Sequence, residues 1–232
     1  NVENLVGVLS AGQTLNGNTL NNTITGANGA DRLNGGAGAD TMIGLGGSDT
    51  YIVDNVGDVV TEAAGQGIDT VRTNLTHYTL SANVENLVGV LSAGQSLNGN
   101  SLNNTITGAN GADRIRGGFG NDILTGGGGA DSFVFNTALG ASNVDDILDF
   151  SVPQDTIELN NAIFSAAGPL GTLNANAFRI GASALDADDR IVYNNVSGEL
   201  FYDSDGSGAV AAVLFARLST GLALTNADFV VI

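Results

Sequence analysis

Aspartates recur every nine residues in two stretches of this chain: Asp31, Asp40 and Asp49, then Asp113, Asp122 and Asp131. Each follows a glycine-rich run and precedes, two places on, a large apolar residue. Residues 26–34 read GANGADRLN, 35–43 read GGAGADTMI and 44–52 read GLGGSDTYI; residues 117–125 read GGFGNDILT and 126–134 read GGGGADSFV. A carboxylate at fixed spacing, flanked by glycines that let backbone carbonyls approach closely, makes a set of hard oxygen donors. Calcium suits such a set, because it accepts about six to eight oxygens in loose geometry. Magnesium wants a tight octahedron and its own waters. Zinc wants thiolate or imidazole, and the chain has no Cys and one His.

The same spacing dictates what must hold these donors. One nonapeptide is a turn followed by a short strand, with the apolar residue pointing inward. The core residues are then Ile24, Leu33, Met42 and Tyr51 in the first stretch, and Ile106, Ile115, Leu124 and Phe133 in the second. Two nonapeptides make one coil of a flattened right-handed spiral, so alternate turns stack along one edge at ~4.8 Å. Stacked carboxylates ~5 Å apart repel by roughly 1–3 kcal/mol per pair at an effective dielectric of 20–80. A dication between the turns reverses that sign. A solenoid whose Gly and Asp merely make turns leaves the in-register carboxylates unexplained.

A longer repeat encloses the nonapeptides. Residues 1–32 recur at 83–114 with only Thr14 and Thr19 changed, to Ser96 and Ser101. The first copy lacks the YTLSA lead-in that precedes the second, so residue 1 is read as lying inside a longer chain with an upstream cargo domain. Between the arrays, 53–82 carries short β-branched runs separated by Gly. From about residue 136 the nonapeptide stops. Apolar strands then alternate with turns at 147–150, 156–159, 178–180, 190–193, 200–202, 210–218 and 229–232, and 194–198 reads as a hairpin loop. The expected division is 1–82, a first roll copy with connecting strands; 83–135, a second copy; and 136–232, a β-rich cap.

Composition excludes several classes. The formal charge is −17, and all seven basic residues are Arg. That balance argues against nucleic acid or an anionic membrane as partner. No apolar run reaches the ~18 residues of a membrane span. No nucleophile–base pair or phosphate loop is spaced for catalysis, so the chain is not expected to be an enzyme. His77 reads as a surface or strand residue. Residues 203–208, DSDGSG, start like an EF-hand loop, but Leu214 stands where Glu is needed, so a hairpin turn is the better reading.

With these motifs in hand, the chain resembles the RTX (repeats-in-toxin, haemolysin-type) family, the calcium-binding β-roll repeats of bacterial type I secreted proteins. The likeness covers 17–61 and 99–134; Asp145–Phe150 and the tail 186–232 also resemble the C-terminal part of such proteins. It implies an all-β fold, a parallel β-roll in two tandem copies with a C-terminal cap. It further implies several Ca2+ ions held by carbonyls and position-six carboxylates of alternate turns. Carried over residue by residue, one site takes Ala27, Gly29 and Asp31 with Gly44, Gly46 and Asp49. Its duplicate takes Ala109, Gly111 and Asp113 with Gly126, Gly128 and Asp131. A second pair takes Asn18, Leu20 and Asn22 with Gly35, Ala37 and Asp40, duplicated as Asn100, Leu102 and Asn104 with Gly117, Phe119 and Asp122. In this pair an amide replaces one carboxylate. Gly36, Gly38 and Asp40 with Val53, Asn55 and Asp58 form a further candidate. For Gly118, Gly120 and Asp122 the family parallel points to Asp145 or Asp149 as closing residue.

The implied function is a module that folds on calcium outside the cell and supports type I export of a larger protein through its C-terminal tail. Its location would be extracellular or at the cell surface. Two alternatives share the motif: an accessory non-catalytic domain of a secreted protease, lipase or alginate epimerase, and an extender or terminal module of an adhesin.

Overall fold

The computed structural model describes residues 2–232. Nine short strands precede the second copy: β1 (Asn4–Val6), β2 (Thr14–Asn16), β3 (Thr23–Thr25), β4 (Arg32–Asn34), β5 (Thr41–Ile43), β6 (Thr50–Val53), β7 (Val59–Thr61), β8 (Thr70–Thr73) and β9 (His77–Thr79). The second copy supplies β10 (Asn86–Gly89), β11 (Ser96–Asn98), β12 (Thr105–Thr107), β13 (Arg114–Arg116), β14 (Ile123–Thr125) and β15 (Ser132–Phe135). Alternate strands pair in parallel. Leu15 lies beside Leu33 and Leu33 beside Tyr51; Ile24 lies beside Met42. This is the parallel β-roll expected from the nine-residue period.

Strands this short are held by what they bury. The eight core residues expected from the sequence are each at most 1% exposed. Burying a Leu, Ile or Phe contributes about 1.5–3 kcal/mol, and each of these residues stacks on its counterpart in the next coil.

The two copies are not related by whole coils. β10, the repeat of β1, stands nine strands further along the chain, and nine is odd. Strands β1, β3, β5 and β7 form a four-stranded sheet on one face. Their repeats β10, β12 and β14 lie in the opposite, twelve-stranded sheet, which runs from β2 through every even-numbered strand to β14 and beyond. The face opened by β1 is taken up again by β9, β11, β13 and β15 in a separate seven-stranded sheet. The roll is therefore interrupted on one face between β7 and β9, and only the larger sheet crosses the junction.

The C-terminal segment adds strands to both faces. Its elements are β16 (Asp145–Ile147), β17 (Thr156–Leu159), β18 (Gly171–Thr172), β19 (Phe178–Ile180), β20 (Ile191–Asn194), β21 (Glu199–Tyr202), β22 (Val213–Arg217) and β23 (Phe229–Val231). β16 pairs with β14, and β22 with β16. β17 pairs with β15, and β23 with β17. Aromatic rings close the end of the core: Phe133 meets Phe150 at 6.1 Å between centroids, and Phe135 meets Phe215 edge-on at 5.0 Å. Arg114 on β13 reaches past β15 to Glu158 on β17, its Nε donating to Oε2 at 3.0 Å. The segment read as a strand at 147–150 is a strand at Asp145–Ile147 instead. Pairing of Ile147 with Leu124 sets the register, and Phe150 turns in against Phe133. The hairpin at 194–198 joins β20 to β21, with Gly198 at φ 82°. Residues 203–208 sit in the loop between β21 and β22, as a hairpin connection.

Candidate calcium-binding turns

The turns stack along two edges of the roll. On the first edge the successive residues before the strands are Gln13, Asp31, Asp49, Asp69 and Glu85, followed by Asn104, Asp122 and Asp145. On the second they are Asn22, Asp40 and Asp58, then Gln95, Asp113, Asp131 and Asp155. One contact builds most steps of both columns. The backbone N–H of one such residue donates to the side-chain oxygen of the next, as Asp31 does to Asp49 Oδ1 at 2.7 Å and Asp113 to Asp131 Oδ1 at 2.8 Å. Because the copies are offset by an odd number of strands, Asp31 and Asp49 lie on one edge while their duplicates Asp113 and Asp131 lie on the other.

The second carboxylate oxygen behaves in two ways. In Asp31 and Asp113 it closes its own turn, accepting from Ala27 N at 2.7 Å and Ala109 N at 2.8 Å. Asp58 and Asp155 do the same, accepting from Asn55 N and Ser151 N. In Asp40, Asp49 and Asp122 the Oδ2 atom is buried and has no partner among the described residues. Each of these three belongs to a turn that starts with glycine: Gly35, Gly44 and Gly117. A Cβ at any of them would collide with the free oxygen. A buried carboxylate oxygen without a donor costs on the order of 1–3 kcal/mol or more. A cation is the partner that such an oxygen, in an all-oxygen surrounding, is suited to receive.

The expected ligand sets come together as follows. The turn of Ala27, Gly29 and Asp31 lies against that of Gly44, Gly46 and Asp49, with Gly46 N donating to the Ala27 carbonyl at 3.3 Å. In the duplicate, Gly128 N donates to the Ala109 carbonyl at 2.9 Å, bringing Gly111 and Asp113 against Gly126 and Asp131. Asn22 N donates to Asp40 Oδ1 at 2.6 Å, and the Asn18 and Leu20 carbonyls face Gly36 and Gly38 of the next turn, which includes Gly35 and Ala37. Likewise Asn104 N donates to Asp122 Oδ1 at 2.7 Å, and Asn100 and Leu102 face Gly118 and Gly120, beside Gly117 and Phe119. Asp40 N reaches Asp58 Oδ1 at 3.0 Å. The Ala27 and Ala109 carbonyls thus already accept one backbone hydrogen bond; each keeps a second lone pair. Of the two candidates to stand beside Asp122, Asp145 does so, accepting from Asp122 N at 3.2 Å. Asp149 lies elsewhere, accepting from Gly126 N at 2.9 Å and Gly127 N at 2.8 Å.

Three acidic residues of the columns, Asp69, Glu85 and Asp155, went unmarked by the nonapeptide pattern, as did Glu62 beside the first column. Asp69 and Asp155 precede Thr-Val and Thr-Ile, much as Asp40 precedes Thr-Met and Asp49 precedes Thr-Tyr. An Asp-Thr-apolar triplet was their signal.

Burial raises several carboxylates in and beside the two columns. It pushes Asp49 up to about 6, with the Asp69 and Asp31 charges adding to it. It pushes Asp131 up to about 6 and Glu62 up to about 7. Asp40, Asp69, Asp113 and Asp155 are raised for the same reason. Asp145 is raised by burial and then by the charge of Asp122, which is itself raised by burial. The arrangement holds negative charge at a distance from solvent with few donors to offset it.

Comparison with known proteins agrees with this geometry. The family model for the RTX calcium-binding nonapeptide repeat, haemolysin type, matches residues 16–51 and 98–133 in four copies. No curated protein matches the chain. Among solved structures, the extracellular lipase LipA from Serratia marcescens is similar over 97% of this chain, at 16% identity and a TM-score of 0.32. The chain spans 40% of that protein's length, and a likeness this distant says nothing of function. The stacked turns with free carboxylate oxygens lie on the residues that the repeat model matches, so the chain carries RTX calcium-binding nonapeptide repeats, whose cofactor is calcium.

Proposed function

We propose that this chain is a calcium-triggered folding module of a larger exported protein. The observation that carries the reading is the set of buried, partnerless oxygens of Asp40, Asp49 and Asp122 on glycine-lined turns. At low calcium the columns of carboxylates oppose stacking, and the chain stays unfolded enough to pass a narrow channel. Outside the cell calcium fills the turns, and binding energy becomes folding energy. Each site at a hundred times its dissociation constant adds about 2.7 kcal/mol, so several sites suffice to turn an unfolded chain into a folded one.

The expected ligand sets are proposed as the sites. Residues 1–82 and 83–135 act as the two roll copies and 136–232 as the cap. The cap's strands cover the last coil, which protects an edge that would otherwise pair with other chains. The tail 186–232 is proposed to carry the signal for a type I export apparatus, and the module itself to be non-catalytic. Circular dichroism during a calcium titration, with magnesium as control, tests the folding step. Native-like β signal in excess chelator, or an equal response to magnesium, would refute it. Secretion of the parent protein with and without 186–232 tests the signal.

A further inference from the structure

Three carboxylates outside any one expected ligand set meet at the junction of the two copies. Asp49, Glu62 and Asp69 each offer an oxygen, and these atoms all lie within 4.8 Å of one another. All three residues are buried, at 1%, 8% and 1% exposure. Asp49 was expected to pair with Asp31 only. Glu62 follows β7 and Asp69 precedes β8, both in the segment that carries no nonapeptide.

Two further observations point to a ligand. Asp49 Oδ2 and Glu62 Oε2 are buried and without a partner among the described residues. Other contacts hold the cluster in place: Tyr51 Oη donates to Glu62 Oε1, and Asp49 N donates to Asp69 Oδ1 at 2.8 Å. The space itself exists because residue 44 is glycine. A Cβ there would run into Tyr51 Oη, Asp49 Oδ2 and Glu62 Oε1. The matching turn of the second copy is built differently: Asp155 stands beside Asp131 as Asp69 stands beside Asp49, but Phe133 replaces Tyr51, Asp149 accepts from Gly126 N and Gly127 N, and no such group of three converges there among the described residues.

We propose that Asp49, Glu62 and Asp69 hold a junction cation, a calcium ion bound by three carboxylates, additional to the ions of the nonapeptide turns and sharing Asp49 with the Asp31 turn. The choice of calcium rests on the reading that the roll is a calcium binder. Three fixed anions and no nitrogen or sulfur donor select a hard cation. Its position gives it a role. One face of the roll is broken between β7 and β9, and this ion ties the last full turn of the first copy to the segment that begins the crossing. It locks the two copies together where sheet hydrogen bonding on that face stops.

The full chain tests this with two readouts. Equilibrium dialysis counts bound calcium. Terbium, a trivalent calcium mimic, reports a nearby tyrosine by sensitised emission, which falls steeply with distance, and Tyr51 touches the site. Wild-type chain should give tyrosine-sensitised emission that calcium displaces. Glu62→Gln should bind one fewer calcium, and terbium at least about tenfold more weakly at the emitting site, by comparison with losses on removing supporting ligands. Tyr51→Phe, which places at the junction the residue the second copy already tolerates, should keep the folded spectrum and lose the emission. An unchanged calcium count and emission in Glu62→Gln overturns the proposal. Full emission from Tyr51→Phe overturns it too, and that variant serves even if Glu62→Gln does not fold. A wild-type chain that binds no calcium at all would instead overturn the calcium reading of the whole roll.

Discussion

Acid and calcium should substitute for one another in folding this chain. Asp49 and Asp131 are pushed up to about 6 and Glu62 up to about 7, in each case chiefly by burial. Each group therefore holds its proton more tightly in the folded chain than in the unfolded one. The stability that follows is complete below about pH 4 and is lost as pH rises through 6 to 7. At about 1.4 kcal/mol per pH unit, two to two and a half units on each of three groups total about 9 kcal/mol. The carboxylates are buried, but the effective dielectric around such groups is still on the order of 20, and that brings the effect down to on the order of 3 kcal/mol. Chelated chain should accordingly show more β signal, or a higher urea midpoint, at about pH 5 than at about pH 8. With calcium bound the order inverts, because protons and calcium compete for the same oxygens. The measurement is far-ultraviolet circular dichroism against urea at both pH values, in chelator and in excess calcium, with light scattering to exclude aggregation. A chelated chain more stable at the higher pH would show that the buried carboxylates are not what opposes folding.

Three other outcomes follow from particular residues. Asp49→Ala should remove more calcium-induced stabilisation than Asn22→Ala, since Asp49 supplies a charge and a free buried oxygen while Asn22 supplies a neutral amide; equal shifts in Tm would refute ranking by charge. Leu45 sits at φ 72°, where the matching turn has Gly36 at φ 81°, and its side chain is 36% exposed. Leu45→Gly should stabilise the chain by about 1 kcal/mol in chemical denaturation, the left-handed penalty less the entropy cost of glycine; a loss of stability would mean the Leu side chain packs more than its exposure implies. A chain ending after Asn136 would bare Phe133 and Phe135, now packed on Phe150 and Phe215. It should need more calcium to fold, or aggregate on folding, and an unchanged calcium midpoint would count against the cap.

The repeat made the roll readable, and the limits of the reading have a physical cause. Glycine was the conspicuous signal, but it reports where a turn needs a left-handed residue or room beside a carboxylate. The column of oxygens follows a different rule, an acidic residue two places before a buried apolar one. Asp69 before Val71, Glu85 before Leu87 and Asp155 before Ile157 obey it in turns that do not fit the nonapeptide. Parity was the other hidden quantity. Whether the second copy starts on the same face depends on how many strands the unrepeated segment 53–82 makes, and no residue type records that number. The count is odd, and the consequence is electrostatic. An even count would stack Asp31, Asp49, Asp113 and Asp131 along one edge and leave the amide-bearing turns of Asn22 and Asn104 on the other. The odd count instead places Asp31 and Asp49 on the first edge with Asn104, and Asp113 and Asp131 on the second edge with Asn22. Repulsion between stacked carboxylates, and the cation binding that relieves it, is thereby shared between both edges. Calcium then tightens the two sides of the roll together.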